Sequence, residues 1–173
     1  MKIKNIACSF LLLFLFTPYT QAQLEDNINI ALIADRSSDL DKSPLVSLLE
    51  VELSQKDGIR LLERVAIDKI LEEQQLSAAG LLDRNNAIKI GKLLRADAFV
   101  ILSLENQTQE SGDLIRVRLA ETAHGLRLAD FFEQPDGANP QQAATDVIKK
   151  IQTVTSKINQ YSEGTVGLIE TGD

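Results

Sequence analysis

Ala98–Leu104 reads AFVILSL, and this stretch decides the fold. Apart from Ser103 it is apolar on both alternating faces, so neither face suits water. Strands buried on both sides lie inside sheets that helices cover, where continuous Val/Ile/Leu runs replace alternation. Upstream, Asn27–Ala34 (NINIALIA) is a second near-continuous apolar run and predicts another buried strand. Between the two lie helical patterns. Ser43-Pro44 is an N-cap followed by proline at the first helical position, and Leu45, Leu48, Leu49 and Leu53 share one face. Gly58 ends that helix, and Ile59–Leu62 predicts a short strand. Ile67, Ile70 and Leu71 repeat at helical spacing. Ser77–Leu82 (SAAGLL) predicts a turn with Gly80 as the breaker, before a helix over Asn86–Leu94.

Downstream the period changes to two. Leu114, Arg116, Arg118 and Ala120 alternate with Ile115, Val117 and Leu119, which predicts a half-buried antiparallel strand. Leu126–Phe132 alternates again across a Glu121–Gly125 turn, so the two strands form a hairpin, with Gly125 free to take positive φ. Pro140 opens a last helix with Ala143, Ala144, Val147, Ile148, Ile151, Val154 and Ile158 on one stripe. Thr165–Ile169 predicts a stub of strand. The order β-α-β-α-α-β-β-β-α implies an α/β fold: a mixed sheet of about five strands with helices packed on it.

The first residues have a different logic. Lys2 and Lys4 precede an apolar run, Ile6–Phe16, and Thr20-Gln21-Ala22 has the small-x-small form of a cleavage site. The run is shorter than the ~20 residues that span a bilayer. The expectation is a cleaved signal peptide over residues 1–22, one domain over 23–163, and a tail or truncated further element over 164–173. The single cysteine, Cys8, starts the apolar run, whereas a lipid-accepting cysteine would follow the cleavage point. The expected mature chain is therefore periplasmic and not lipid-anchored. Without Lys2 and Lys4 it holds 16 basic against 25 acidic residues, a net charge of −9. That charge disfavours nucleic acid and anionic membrane surfaces, since both are recognised by Lys/Arg excess. The composition, 44% apolar and 25% charged, is that of a globular domain and argues against disorder.

Chemistry-bearing residues are sparse. His124 is the one histidine, beside Gly125 in the predicted turn, so a zinc or catalytic-triad reading has little to build on. Phosphate-binding glycine patterns are missing, and no cofactor is implied. The run DRSSDLDKS places Asp35, Arg36, Asp39 and Asp41 just after the first strand, where α/β sheets bind ligands. The spacing lacks the glycine and distal glutamate of a calcium loop, and a solvated turn with helix-start acids accounts for it. Asn106-Gln107-Thr108 has the form of a glycosylation sequon, relevant only in a secreted eukaryotic setting.

Two stretches carry a family resemblance: ERVAIDKILEEQQLSAAGL over Glu63–Leu81 and AIKIGKLLRADAFV over Ala87–Val100. Together they resemble the curli production assembly/transport component family (CsgG-like), with the first strand IALIADRSS and the hairpin in matching order. The resemblance runs from about Ile28 to Phe132 and shades into the TolB N-terminal-like domain. It implies a periplasmic, non-catalytic role in assembly or transport of envelope components through protein–protein contacts. The implied partners are envelope or secretion proteins, with self-association as a further contact. Glu63, Arg64, Gly80, Gly91 and Asp97 fall in its motifs as scaffold: a strand-to-helix lock, a turn, a close helix approach and a helix-to-strand loop. The chain departs from the family at Arg95 and Ser103, where glycine is frequent, and in the loop Glu105–Asp113. That loop has nine residues, too few for the pore hairpins, since one membrane strand alone takes about 9–11. Two other readings compete. One is a small-ligand or peptide-binding module near Asp35–Ser43; the other is a carboxylate hydrolase using Asp35 with Asp39 or Asp41.

Overall fold

The computed structural model describes residues 27–36, 39–105, 114–134 and 139–158. The expected signal peptide, the sequon at Asn106 and the strand stub at Thr165–Ile169 lie outside the described residues. Five strands form one sheet: β1 (Ile28–Ala34), β2 (Ile59–Leu61), β3 (Ala98–Glu105), β4 (Leu114–Glu121) and β5 (Leu126–Glu133). Their spatial order is β2-β1-β3-β4-β5, with β2, β1 and β3 parallel and β3, β4 and β5 antiparallel neighbours. The helices are α1 (Pro44–Ser54), α2 (Arg64–Glu73), α3 (Arg84–Leu94) and α4 (Pro140–Thr155). The fold is thus the expected α/β arrangement of a five-stranded mixed sheet with packed helices.

β3 occupies the central position, and its alternating residues explain why. Ala98, Val100 and Leu102 enter a core shared with α1 and α4; Phe99 and Ile101 enter a second core shared with α2 and α3. All five are fully buried. β1 divides in the same way, Ile30 and Leu32 to one side and Ala31 and Ile33 to the other. Burying a side chain of this size contributes roughly 1.5–3 kcal/mol, so β1 and β3 anchor both layers.

The helix ends follow local chemistry. The Ser43 hydroxyl accepts from the Val46 amide at 3.3 Å, and Asp83 accepts from the Asn85 and Asn86 amides at 3.0 and 3.1 Å. Asp83 therefore starts α3 two residues earlier than the apolar pattern predicts. Residues Ala78–Leu82 form a short 3-10 helix, and Gln75, at φ 53°, makes the left-handed step after α2. A Cβ at Gly80 would lie 3.1 Å from Leu76 Cδ2, so space is what the glycine provides. A second 3-10 helix, Leu40–Lys42, precedes α1. Gly125 does adopt positive φ, at 64°.

β4 is more buried than a half-buried strand. Arg118, expected on a wet face, is only 9% exposed, and its Nη2 donates to Ser103 Oγ at 2.9 Å. The β3 neighbour thus supplies a hydroxyl where burial would otherwise strip the guanidinium of a partner.

At the opposite end of β4, Gly91 of α3 lies against Thr122. A Cβ at Gly91 would stand 2.8 Å from Thr122 Cγ2 and Oγ1. Thr122 cannot yield, because it is buried and its hydroxyl donates to the Ala96 carbonyl. Gly91→Ala should destabilise the chain by about 1–3 kcal/mol, the usual penalty of overpacking, in a denaturant titration. Trimming the obstruction with Thr122→Ser in the same chain should recover part of the loss.

Candidate functional site

The carboxyl ends of β1 and β2 open two clefts, one on each face of β1. The larger, ≈ 360 Å³, has Asp35, Arg36, Asp68 and Glu72 around its mouth and Ile33, Leu71, Leu76 and Ala78 as apolar lining. The smaller, ≈ 260 Å³, is lined by Leu32, Glu50, Ser54, Leu61, Leu62, Glu63 and Arg64. Sequence reading grouped the acidic run as one loop, but the structure divides its members. Asp35 and Arg36 belong to the larger cleft. Asp39 is turned away and forms an ion pair with Lys42 at 2.7 Å. Asp41 faces Arg64, Nη2 to Oδ2 3.2 Å.

Each polar group has an identifiable anchor. Asp35 continues the ladder, its amide donating to the Leu102 carbonyl at 2.9 Å. Arg36 forms an ion pair with Asp68 of α2, closing one side of the cleft mouth. The hydrogen bond from Lys42 holds the Asp39 carboxyl below its ordinary range, and the same contact raises Lys42. Arg64 does more. It donates to the Asp41 carbonyl at 3.0 Å and reaches Glu50 of α1 at 3.4 Å, while its own backbone begins α2. One guanidinium thus ties the 3-10 turn, α1 and α2 together beneath the smaller cleft. Glu63 is exposed; its carbonyl, and no side-chain bond, caps α2.

Asp97 works at the other end of the sheet. Its Oδ2 accepts from the Asn29 amide at 2.7 Å and from Asn29 Nδ2 at 3.1 Å, and its carbonyl receives the Thr122 amide at 3.0 Å. It latches the starts of β1 and β3 to the end of β4. Asp97 and Gly91 line neither cleft, and Gly80 packs on Leu76 behind the apolar lining of the larger one. Among the described residues, no group of three or more His, Cys, Asp or Glu side chains is placed to hold a metal ion. None of the described helices is long and apolar enough to cross a membrane. What the larger cleft can do chemically is take a small polar or peptide group between an ion-paired rim and an apolar floor.

Two sets of residues escaped the sequence reading. Asp68 and Glu72 sit on the solvent side of the α2 pattern, and only tertiary packing brings them to β1. The second set is a charged network on the β4–β5 part of the sheet. Arg116 forks onto Asp130, Nε to Oδ1 2.7 Å and Nη2 to Oδ2 2.8 Å, and stands 5.4 Å from the Phe132 ring centroid. Arg127 also reaches Asp130, and Arg116 reaches Glu105, each at 3.4 Å. A bulge between Leu119 and Ala120 shifts the hairpin register by one, so counting outward from the Gly125 turn would have set Arg118 opposite Ala129 and not Asp130.

Comparison with known proteins finds one family model that matches part of the chain. The family model for "Curli production assembly/transport component CsgG" matches residues 36–117. Over that span, which runs from the larger cleft to β4, the chain resembles the CsgG family. Among solved structures, the chain is similar to lipoprotein GNA1162 from Neisseria meningitidis. That match has 12% identity and a TM-score of 0.48, over 72% of this chain and 96% of that one. It is also similar to the LpoB C-terminal domain from Salmonella enterica, with 13% identity and a TM-score of 0.44, over 62% and 80%. No curated protein matches.

Two predictions test these contacts. Arg64→Ala should lower stability by about 1–2 kcal/mol, because a carbonyl bond and two ion pairs go together, whereas Arg36→Ala at a more exposed pair should stay within about 0.5 kcal/mol. Chemical denaturation of both variants distinguishes them. Asp130 is held below its ordinary 3.8, chiefly by the hydrogen bonds from Arg116. A folded carboxyl with a depressed pKa adds stability above its unfolded pKa and loses it as pH falls toward the folded value. Unfolding curves from about pH 6 to about pH 3 should therefore fall less steeply for Asp130→Asn than for the wild type.

Proposed function

We propose that this chain is an exported, non-catalytic CsgG-like envelope protein that acts in assembly or transport through protein–protein contacts. Its signal peptide is residues 1–22, its single domain residues 23–163, and residues 164–173 are a tail or the start of a further element. The mature chain works in the periplasm without a lipid anchor. Its partners are envelope or secretion proteins, or further copies of itself.

The family match over residues 36–117 carries this reading. The geometry of the acidic run supports it. A hydrolase built on carboxylates needs one acid and one base whose protonation states the environment sets apart. Here Asp39 is an exposed partner of Lys42, and Asp41 is a structural partner of Arg64. These acids fasten turns, and the cleft they were expected to share keeps only Asp35 and Arg36 of the run.

In a bacterial host expressing the whole chain, mass spectrometry should find the periplasmic form beginning at Gln23 and unmodified by lipid. A photoreactive side chain placed at Val65, which is 80% exposed beside the Arg64 clamp, should give discrete adducts with envelope proteins or with a second copy. Retention in the cytoplasm or an acylated N-terminus would refute the localisation. A catalytic activity of the purified chain that Asp35→Asn abolishes would refute the contact mechanism.

A further inference from the structure

β1 and β2 are parallel neighbours whose outgoing chains part: β1 leads to α1 over one face of the sheet, β2 to α2 over the other. Connections that diverge in this way leave a crevice beyond the carboxyl ends of the strands, where open α/β sheets take their ligands. The larger cleft lies in this crevice, on the α2 side of β1. Its ≈ 360 Å³ falls within the range of small-ligand pockets.

Floor and rim have opposite characters. Ile33, Leu71, Leu76 and Ala78 make an apolar floor. The rim holds three carboxylates, Asp35, Asp68 and Glu72, against one guanidinium, Arg36. That guanidinium is already matched, since it pairs with Asp68. Glu72 is exposed and, among the described residues, its carboxylate has no ion pair. Ser77 adds a hydroxyl that makes no capping bond to its own 3-10 helix. The net charge of the whole chain, −7, has the same sign as the rim. An occupant complementary to floor and rim together is an aliphatic stem that ends in a cation. Lys and Arg side chains are built that way: their methylenes lie along apolar surface while the charged head stays in water. A carboxylate or phosphate meets the wrong charge at this mouth, and a purely apolar group leaves the rim unanswered.

We infer that the larger cleft is the anchor pocket for a basic side chain on a segment of a protein partner, its stem on Leu71 and Leu76 and its charged head at the rim by Glu72. The inference rests on the contact mechanism proposed above and deepens it by naming the partner's chemistry.

The test is a titration of the nitrogen-15-labelled chain, purified from a host expressing it whole, with the acetylated and amidated tripeptides Leu-Lys-Leu and Leu-Gln-Leu. The amide resonances of Asp35, Glu72 and Ser77 should shift and saturate with the lysine peptide at several-fold lower concentration than with the glutamine peptide. Glu72→Gln should reduce that preference about threefold to fivefold, the scale of one ion pair at a wet rim. Glu73→Gln, which alters a carboxylate outside the cleft, should leave it nearly unchanged. Arg36→Ala should strengthen binding of the lysine peptide, because it removes the rim cation and releases Asp68. Opposite effects from two surface substitutions are not what a loss of folding produces. No saturable shift, equal binding of the two peptides, an unchanged preference in Glu72→Gln, or weaker lysine-peptide binding in Arg36→Ala would each overturn the assignment. Saturation by n-butylamine at the same concentration as the lysine peptide would overturn it too, making the cleft a site for a free amine. Failure here leaves the contact mechanism standing with its partner's chemistry unnamed, whereas a catalytic activity lost in Asp35→Asn would remove the contact mechanism itself.

Discussion

Everything in this molecule depends on β3 being dry on both sides. A strand with no wet face requires a cover on each, and the chain supplies α1 and α4 for one, α2 and α3 for the other. β1 shares that requirement and lies beside it in parallel, which forces the crossovers that carry the chain over opposite faces. The charged residues then fall where the cover stops: at the strand ends around Asp35 and Arg64, and on the uncovered half beyond β3.

Apolar periodicity therefore revealed the frame well. AFVILSL alone required a central strand, and the change from helical spacing to alternation after Leu114 required the antiparallel hairpin. Ser43-Pro44 identified the first turn of α1 because an N-cap is local chemistry, settled within four residues. Gly80 shows that glycine serves two needs that look alike in a sequence. It permits left-handed backbone, and it vacates space; here Leu76 takes the space and Gln75 takes the left-handed step.

The candidate site was less legible for the same reason. Asp35, Arg36, Asp39 and Asp41 are neighbours in sequence, but their partners come from α2, from the 3-10 turn and from Arg64. A run of acids says nothing about which distant cation each will meet. Arg118 is the opposite case. Alternation placed it on a polar face, and Arg118 itself proved to be buried there, its guanidinium turned to a hydroxyl of the neighbouring strand. The family match adds what no side chain here states alone, since its span joins cleft, clamp and sheet in one stretch.

The packing of α4 against α1 has a consequence in time. These helices begin at Pro44 and Pro140, so most of the domain separates them along the chain. At ribosomal speeds of about 5–20 residues per second, the first waits roughly 5–20 s for the last to emerge. Through that interval α1 covers its hydrophobic layer without α4, and the layer is half closed. A domain built in this way cannot seal that layer until synthesis is nearly done.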